Sequence, residues 1–152
     1  MKRMIVAVTF VVLNTASYAH EGHDTPGVLP LPLHGGKLGE ATHSGGHNHE
    51  GKEKELFFEV VFKGKEVRLF PLILTGKEND SFESLSPKRD LKDITVTAEF
   101  PRSKRSESLK LDVGDEQILA AVDPGREYRF FVNVSALHKG EKKTAKIQVE
   151  RK

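Results

Sequence analysis

Beyond residue 55, apolar and polar residues alternate with a period of two. Glu66-Val67-Arg68-Leu69-Phe70 sets Val67 and Leu69 on one face and Glu66 and Arg68 on the other. Asp93–Phe100 does the same, with Ile94, Val96, Ala98 and Phe100 aligned. That period is the mark of a half-buried strand. Leu56–Phe62 is a denser apolar run, also strand-like, and Lys63-Gly64-Lys65 reads as the turn after it. Pro71 should break the second strand or place it at a sheet edge, because proline has no N–H for the ladder. Further strands are expected over 109–113, 117–122, 128–134 and 144–149, with a turn at Asp123-Pro124-Gly125.

The pattern predicts about seven short strands over 55–152 and no amphipathic helix. The fold class expected is all-β, a single immunoglobulin- or fibronectin-like β-sandwich. Asp123-Pro124-Gly125-Arg126-Glu127-Tyr128 resembles the tyrosine corner of such domains, which implies a Tyr128 hydroxyl bonded back to the preceding turn.

The alternation fails before residue 55. Met1-Lys2-Arg3, the apolar run 4–13 and the polar, small-residue stretch Asn14–Ala19 form the three parts of a cleavable secretory signal. The run is too short for a membrane span of about 20 residues. Cleavage is expected after Ala19, giving a division into signal 1–19, leader 20–54 and sandwich 55–152. The destination is periplasmic or secreted, and without cysteine the protein is not a lipoprotein. Within the leader, Val28-Leu29-Pro30-Leu31-Pro32-Leu33 should be an extended or polyproline-like strip, loose or with its leucines tucked onto the domain. The glycine-rich remainder, 34–54, is expected to be flexible.

Loss of Lys2 and Arg3 brings the 24 basic and 22 acidic residues close to balance. No basic field remains to suggest nucleic acid. Both methionines, Met1 and Met4, leave with the signal and cysteine is absent. Any metal chemistry must then use imidazole, carboxylate or the terminal amine, donors that suit Cu²⁺, Zn²⁺ or Ni²⁺.

Those imidazoles are concentrated. Six of the seven histidines (His20, His23, His34, His43, His47 and His49) lie in the leader. His20 would be the first mature residue and could chelate through its α-amine and Nδ1. That arrangement resembles the N-terminal histidine chelate of periplasmic copper-binding proteins of the CopC type, themselves β-sandwiches. His43, His47 and His49, spaced around Ser44-Gly45-Gly46, could wrap an ion with His34 or a carboxylate as a further ligand. The alternative is a low-complexity spacer that binds metal incidentally.

His34-Gly35-Gly36 followed by Glu55-Leu56-Phe57-Phe58-Glu59-Val60 resembles small exported proteins associated with heavy-metal efflux, in which a His-Gly-Gly element precedes the first strand of a compact β domain. The resemblance covers 34–74, with a long insert at 37–54. It implies that His34 is a functional residue whose glycines let backbone approach a ligand closely. His138, in a predicted turn, is expected at the surface. Basic Arg102-Ser103-Lys104-Arg105 reads as a solvated hairpin tip.

No Gly-x-Ser-x-Gly elbow, His-Glu-x-x-His helix or phosphate loop is present, and cysteine catalysis is impossible. The chain reads as a non-enzyme. It is expected to bind divalent metal as a buffer, chaperone or accessory of a membrane metal-efflux or uptake system. The competing expectation is an envelope interaction or structural module whose histidine-rich leader is a spacer.

Overall fold

A computed structural model describes residues 29–43, 55–75 and 81–151. Eleven strands and one helical turn occur among them: β1 (Lys37–Glu40), β2 (Thr42–His43), β3 (Leu56–Lys63), β4 (Glu66–Thr75), β5 (Ser81–Ser84), α1 (Pro87–Asp90), β6 (Leu91–Phe100), β7 (Arg105–Ser108), β8 (Leu111–Val113), β9 (Ile118–Ala121), β10 (Arg129–His138) and β11 (Glu141–Glu150). All pairings are antiparallel. One sheet runs β1-β3-β4-β9-β8 with β5 also on β4, and the other runs β2-β11-β10-β6-β7.

The protein is an all-β sandwich, as the alternation predicts. Its connectivity is the immunoglobulin one. β3-β4-β9-β8 reproduces the A-B-E-D sheet and β6-β10-β11 the C-F-G sheet. All seven anticipated strands are present. The four additional ones are short, and three of them (β1, β2, β7) line sheet edges.

The core lies between the sheets. Phe58, Val67, Leu69, Ile118, Phe130 and Val132 are fully buried there. Removing each such side chain from water contributes about 1.5–3 kcal/mol. Phe130 stacks on Phe100 at 5.6 Å and meets Phe62 edge-on at 5.2 Å.

β3 is apolar on both faces because both are covered. Leu56, Phe58 and Val60 point into the core, while Phe57 joins Leu72, Leu74 and Phe82 in a second cluster on the outer face, flanked by Leu38 and Phe70. A sheet clad on both sides loses clean alternation, which explains the dense run at 56–62.

Pro71 does not break β4, contrary to expectation. β4 pairs β9 through Glu66–Leu69 and β5 through Leu72–Thr75, and Pro71 sits where the partner changes. Its carbonyl accepts Leu85 N–H on that side, so the missing N–H falls in the gap between two ladders.

The leader also departs from expectation. Residues 37–43 are strands that strap the sandwich: β1 pairs β3, Gly39 lies against Ile147 of β11, and β2 pairs β11. A built Cβ at Gly39 would come within 2.3 Å of Ile147 Cγ1. The ordered sandwich therefore begins ahead of residue 55. The strap covers the open edges of β3 and β11, which would otherwise present unpaired backbone groups. Upstream, Leu29, Leu31 and Leu33 are not tucked in. They are exposed, while Pro30 and Pro32 are half-buried.

Candidate functional site

The leader meets the sheet at a buried acid. Glu59 shares the outer face of β3 with Phe57, in a cross-strand row Leu38–Glu59–Phe70. It is 0 % exposed. A carboxylate with no water must find donors, because burying it unpaired is prohibitive.

His34-Gly35-Gly36 supplies them. His34 N–H donates to Oε1 at 2.8 Å and Oε2 at 3.1 Å, and Gly36 N–H donates to Oε1 at 2.7 Å. The His34 ring adds Nδ1···Oε2 at 3.0 Å. With both oxygens already accepting backbone N–H groups, Nδ1 acts as the donor to Oε2, and in the neutral ring that tautomer has its lone pair on Nε2. His34 is also stacked on Phe70, centroids 3.7 Å apart and planes 9° from parallel. The ring is thus held by one hydrogen bond and one flat contact.

The glycines have separate reasons. Gly35 takes φ +72°, the left-handed conformation that reverses the chain over Glu59. Gly36 has no room for a side chain, since a Cβ would lie 2.5 Å from Val60 O and 2.9 Å from Glu59 Cγ. The close backbone approach anticipated from the glycines is made to Glu59 and Val60 of the protein itself.

Nε2 of His34 has no protein partner among the described residues, and the side chain is 35 % exposed. Metal-ligating imidazoles commonly donate their other ring N–H to a carboxylate in this way, which fixes the tautomer and orients the ring. As a ligand His34 would contribute Nε2. Among the described residues no three His, Asp or Glu side chains come together to complete a site.

His43 is carried to the other sheet, opposite Lys143 at the start of β11. Ala41 N–H reaches Leu56 O while Gly36 sits over Glu59–Val60, so the strap runs along four residues of β3, about 13 Å. It then crosses to β11. His34 and His43 therefore stand at opposite ends of the strap and are not brought together. His20, His23, His47 and His49, and the signal segment, lie outside the described residues.

Two other sequence expectations are corrected. His138 is not a surface turn residue. It ends β10, where the inward parity of Phe130, Val132, Val134 and Ala136 continues to it, and it is 6 % exposed. No tyrosine corner forms, since Tyr128 is 65 % exposed. The buried polar residue at that corner is Glu127, which accepts Ser103 N–H at 2.7 Å and so ties two loops together.

Sequence reasoning singled out His34 and missed Glu59. The available signal was a single acid inside the apolar run 56–62, since an acid is rarely buried without a partner. No protein-family model, curated protein or solved structure matches the chain.

Proposed function

We propose that this is an exported, non-enzymatic protein that binds divalent transition metal through leader histidines, with His34 as the ligand anchored to the sandwich. The observation that carries the reading is the His34 ring: Nδ1 committed to the buried Glu59, the plane fixed on Phe70, and Nε2 without a partner among the described residues. A ring already oriented loses little further freedom on ligation. The remaining ligands would come from the histidines upstream, with His43, His47 and His49 as a separate group. Imidazole and carboxylate donors without sulfur suit Cu²⁺, Zn²⁺ or Ni²⁺. A role as buffer or accessory to a membrane metal-efflux or uptake system agrees with export and with the resemblance carried by His34-Gly35-Gly36.

A second reading is favoured by a specific feature of the same clasp. Both backbone N–H groups and Nδ1 are spent on Glu59, so the His-Gly-Gly element has a complete structural use in fastening the strap. On that reading the protein is an envelope interaction module and its leader a spacer.

Calorimetric titration with Cu²⁺, Zn²⁺ and Ni²⁺ at about pH 7.5, where free imidazole is mostly neutral, separates the two. The comparison is with a full-length variant carrying glutamine at all six leader histidines, and with His34→Gln alone. Metal binding lost in the sixfold variant and weakened in His34→Gln is the expected result. Equal binding by all three proteins would refute the metal role.

A further inference from the structure

One end of the sandwich carries a hollow of about 450 Å³ formed where the β6–β7 turn meets the loop after β9. Arg102, Arg105 and Arg126 line it together with Ser103, Gly125 and Glu127. Arg151 adjoins, donating from Nη1 to Gly125 O at 2.9 Å. Four of the chain's eight arginines thus gather at one hollow, which no lysine lines. That bias matters because guanidinium offers a planar fork that pairs two oxygens at once, whereas ammonium is a point charge.

The three lining guanidiniums are not equivalent. Arg105 is held in place, with Nη2 donating to Asp123 O at 2.6 Å and its carbon 4.1 Å above the Phe100 ring. Arg102 and Arg126 have no hydrogen-bond or ion-pair partner among the described residues. Three acids lie nearby, and none of them pairs with Arg102 or Arg126. Glu127 is 7 % exposed and accepts Ser103 N–H. Asp123 faces Lys65 at 2.9 Å and Gly125 N–H. Glu107 stands 3.6 Å from Arg105 Nη1. The hollow is left with an excess of positive charge and two unused forks at its rim.

We propose that this hollow is an oxyanion site that takes a phosphate-bearing ligand, with the exposed Arg102 and Arg126 as its clamps and Arg105 as its fixed donor. Bidentate pairing of guanidinium with phosphate is the strong, geometry-selective form of such contacts, and the volume falls in the range of small-ligand pockets, about 300–1,000 Å³. The site is independent of the leader histidines and of the metal reading. Its phosphate can come from a soluble molecule or from a lipid headgroup, and the same chemistry serves both.

The test uses the full chain, Arg102→Gln/Arg126→Gln, and the control Lys88→Gln/Lys92→Gln, which removes equal charge from exposed positions at the far end of β6. Each protein is titrated calorimetrically with inorganic pyrophosphate and cosedimented with phosphatidylcholine vesicles, with and without phosphatidylglycerol. Saturable binding to pyrophosphate or to the anionic vesicles is expected, and whichever binds identifies the source. The arginine pair should weaken it by at least about tenfold, as loss of charge-assisted hydrogen bonds implies, and the lysine pair by less than about twofold. Failure to bind either probe, an arginine variant that binds like the parent, or equal loss in both double variants would overturn the proposal.

Discussion

Gly36→Ala tests the clasp at its tightest point. The new Cβ would lie 2.5 Å from Val60 O, against an ordinary C···O contact of about 3.3 Å. The obstacle is backbone in the middle of β3, so the strap has to move by about 0.8 Å. The Gly36 N–H···Glu59 bond, 2.7 Å at present, would then stretch to about 3.5 Å, the length at which it ceases to be one. A hydrogen bond to a charged group contributes about 1.5–3 kcal/mol. Against this, alanine restricts the unfolded chain and returns about 0.4–1 kcal/mol. The net loss is about 1.5 kcal/mol, and the melting temperature should fall by roughly 6 °C for a domain of this size.

Urea denaturation followed by circular dichroism measures the change. Glu59→Gln makes the measurement specific. It replaces one acceptor oxygen by an NH₂ that confronts the His34 donors, at a cost of about 1–3 kcal/mol. Because Gly36 and Glu59 act through the same bond, the double variant should show a coupling energy of about 1 kcal/mol. Gly36→Ala within about 0.5 kcal/mol of the parent, or strict additivity with Glu59→Gln, would mean that the Gly36–Glu59 bond does not hold the strap.

The corner after β9 makes a paired prediction. Tyr128→Phe should change stability by less than about 0.5 kcal/mol, since Tyr128 is 65 % exposed, whereas Glu127→Ala should cost about 1–3 kcal/mol by orphaning Ser103 N–H. Urea denaturation of the two variants decides this, and a reversed order would restore the tyrosine corner. Acid should act through exposed ion pairs. The hydrogen bond from Arg89 holds Asp90 below its ordinary 3.8, Lys146 holds Glu99 below 4.5, and Lys65 holds Asp123 below 3.8. Folded values below unfolded ones mean that this stabilisation is complete above pH 4.5 and is lost as the pH falls through and below 3.8. All three pairs are solvent-exposed, so added salt should flatten the dependence seen in denaturation midpoints against pH.

The histidine tract and the clasp bear on function in different ways. Six imidazoles within thirty residues suggest metal on composition alone, but any ligand that is not already held in place costs conformational entropy when it is ordered. His34 escapes most of that cost, being fixed by Glu59 and Phe70. Its replacement should therefore weaken metal binding more than that of any single histidine in the 43–49 group, a difference readable in the same titrations.

The amino-acid sequence alone determined the seven main strands, the sandwich class and the inward faces of β4 and β6, because period-two alternation is a local signal that a half-buried strand cannot avoid. It also drew attention to His34 and its glycines. Only tertiary structure revealed the partner of that motif. Glu59 lies 25 residues away and is disguised by apolar neighbours on both sides, and its need for donors appears only once both faces of β3 are covered. The strap 37–43 was hidden for a related reason. Lys37-Leu38-Gly39-Glu40 has little hydrophobic pattern, and its strand character rests on backbone pairing to β3 and β11. The arginines likewise converge from three separate stretches of chain. Side-chain periodicity is written in consecutive residues, whereas the satisfaction of a buried charge or the gathering of exposed ones depends on which distant segments the fold lays side by side.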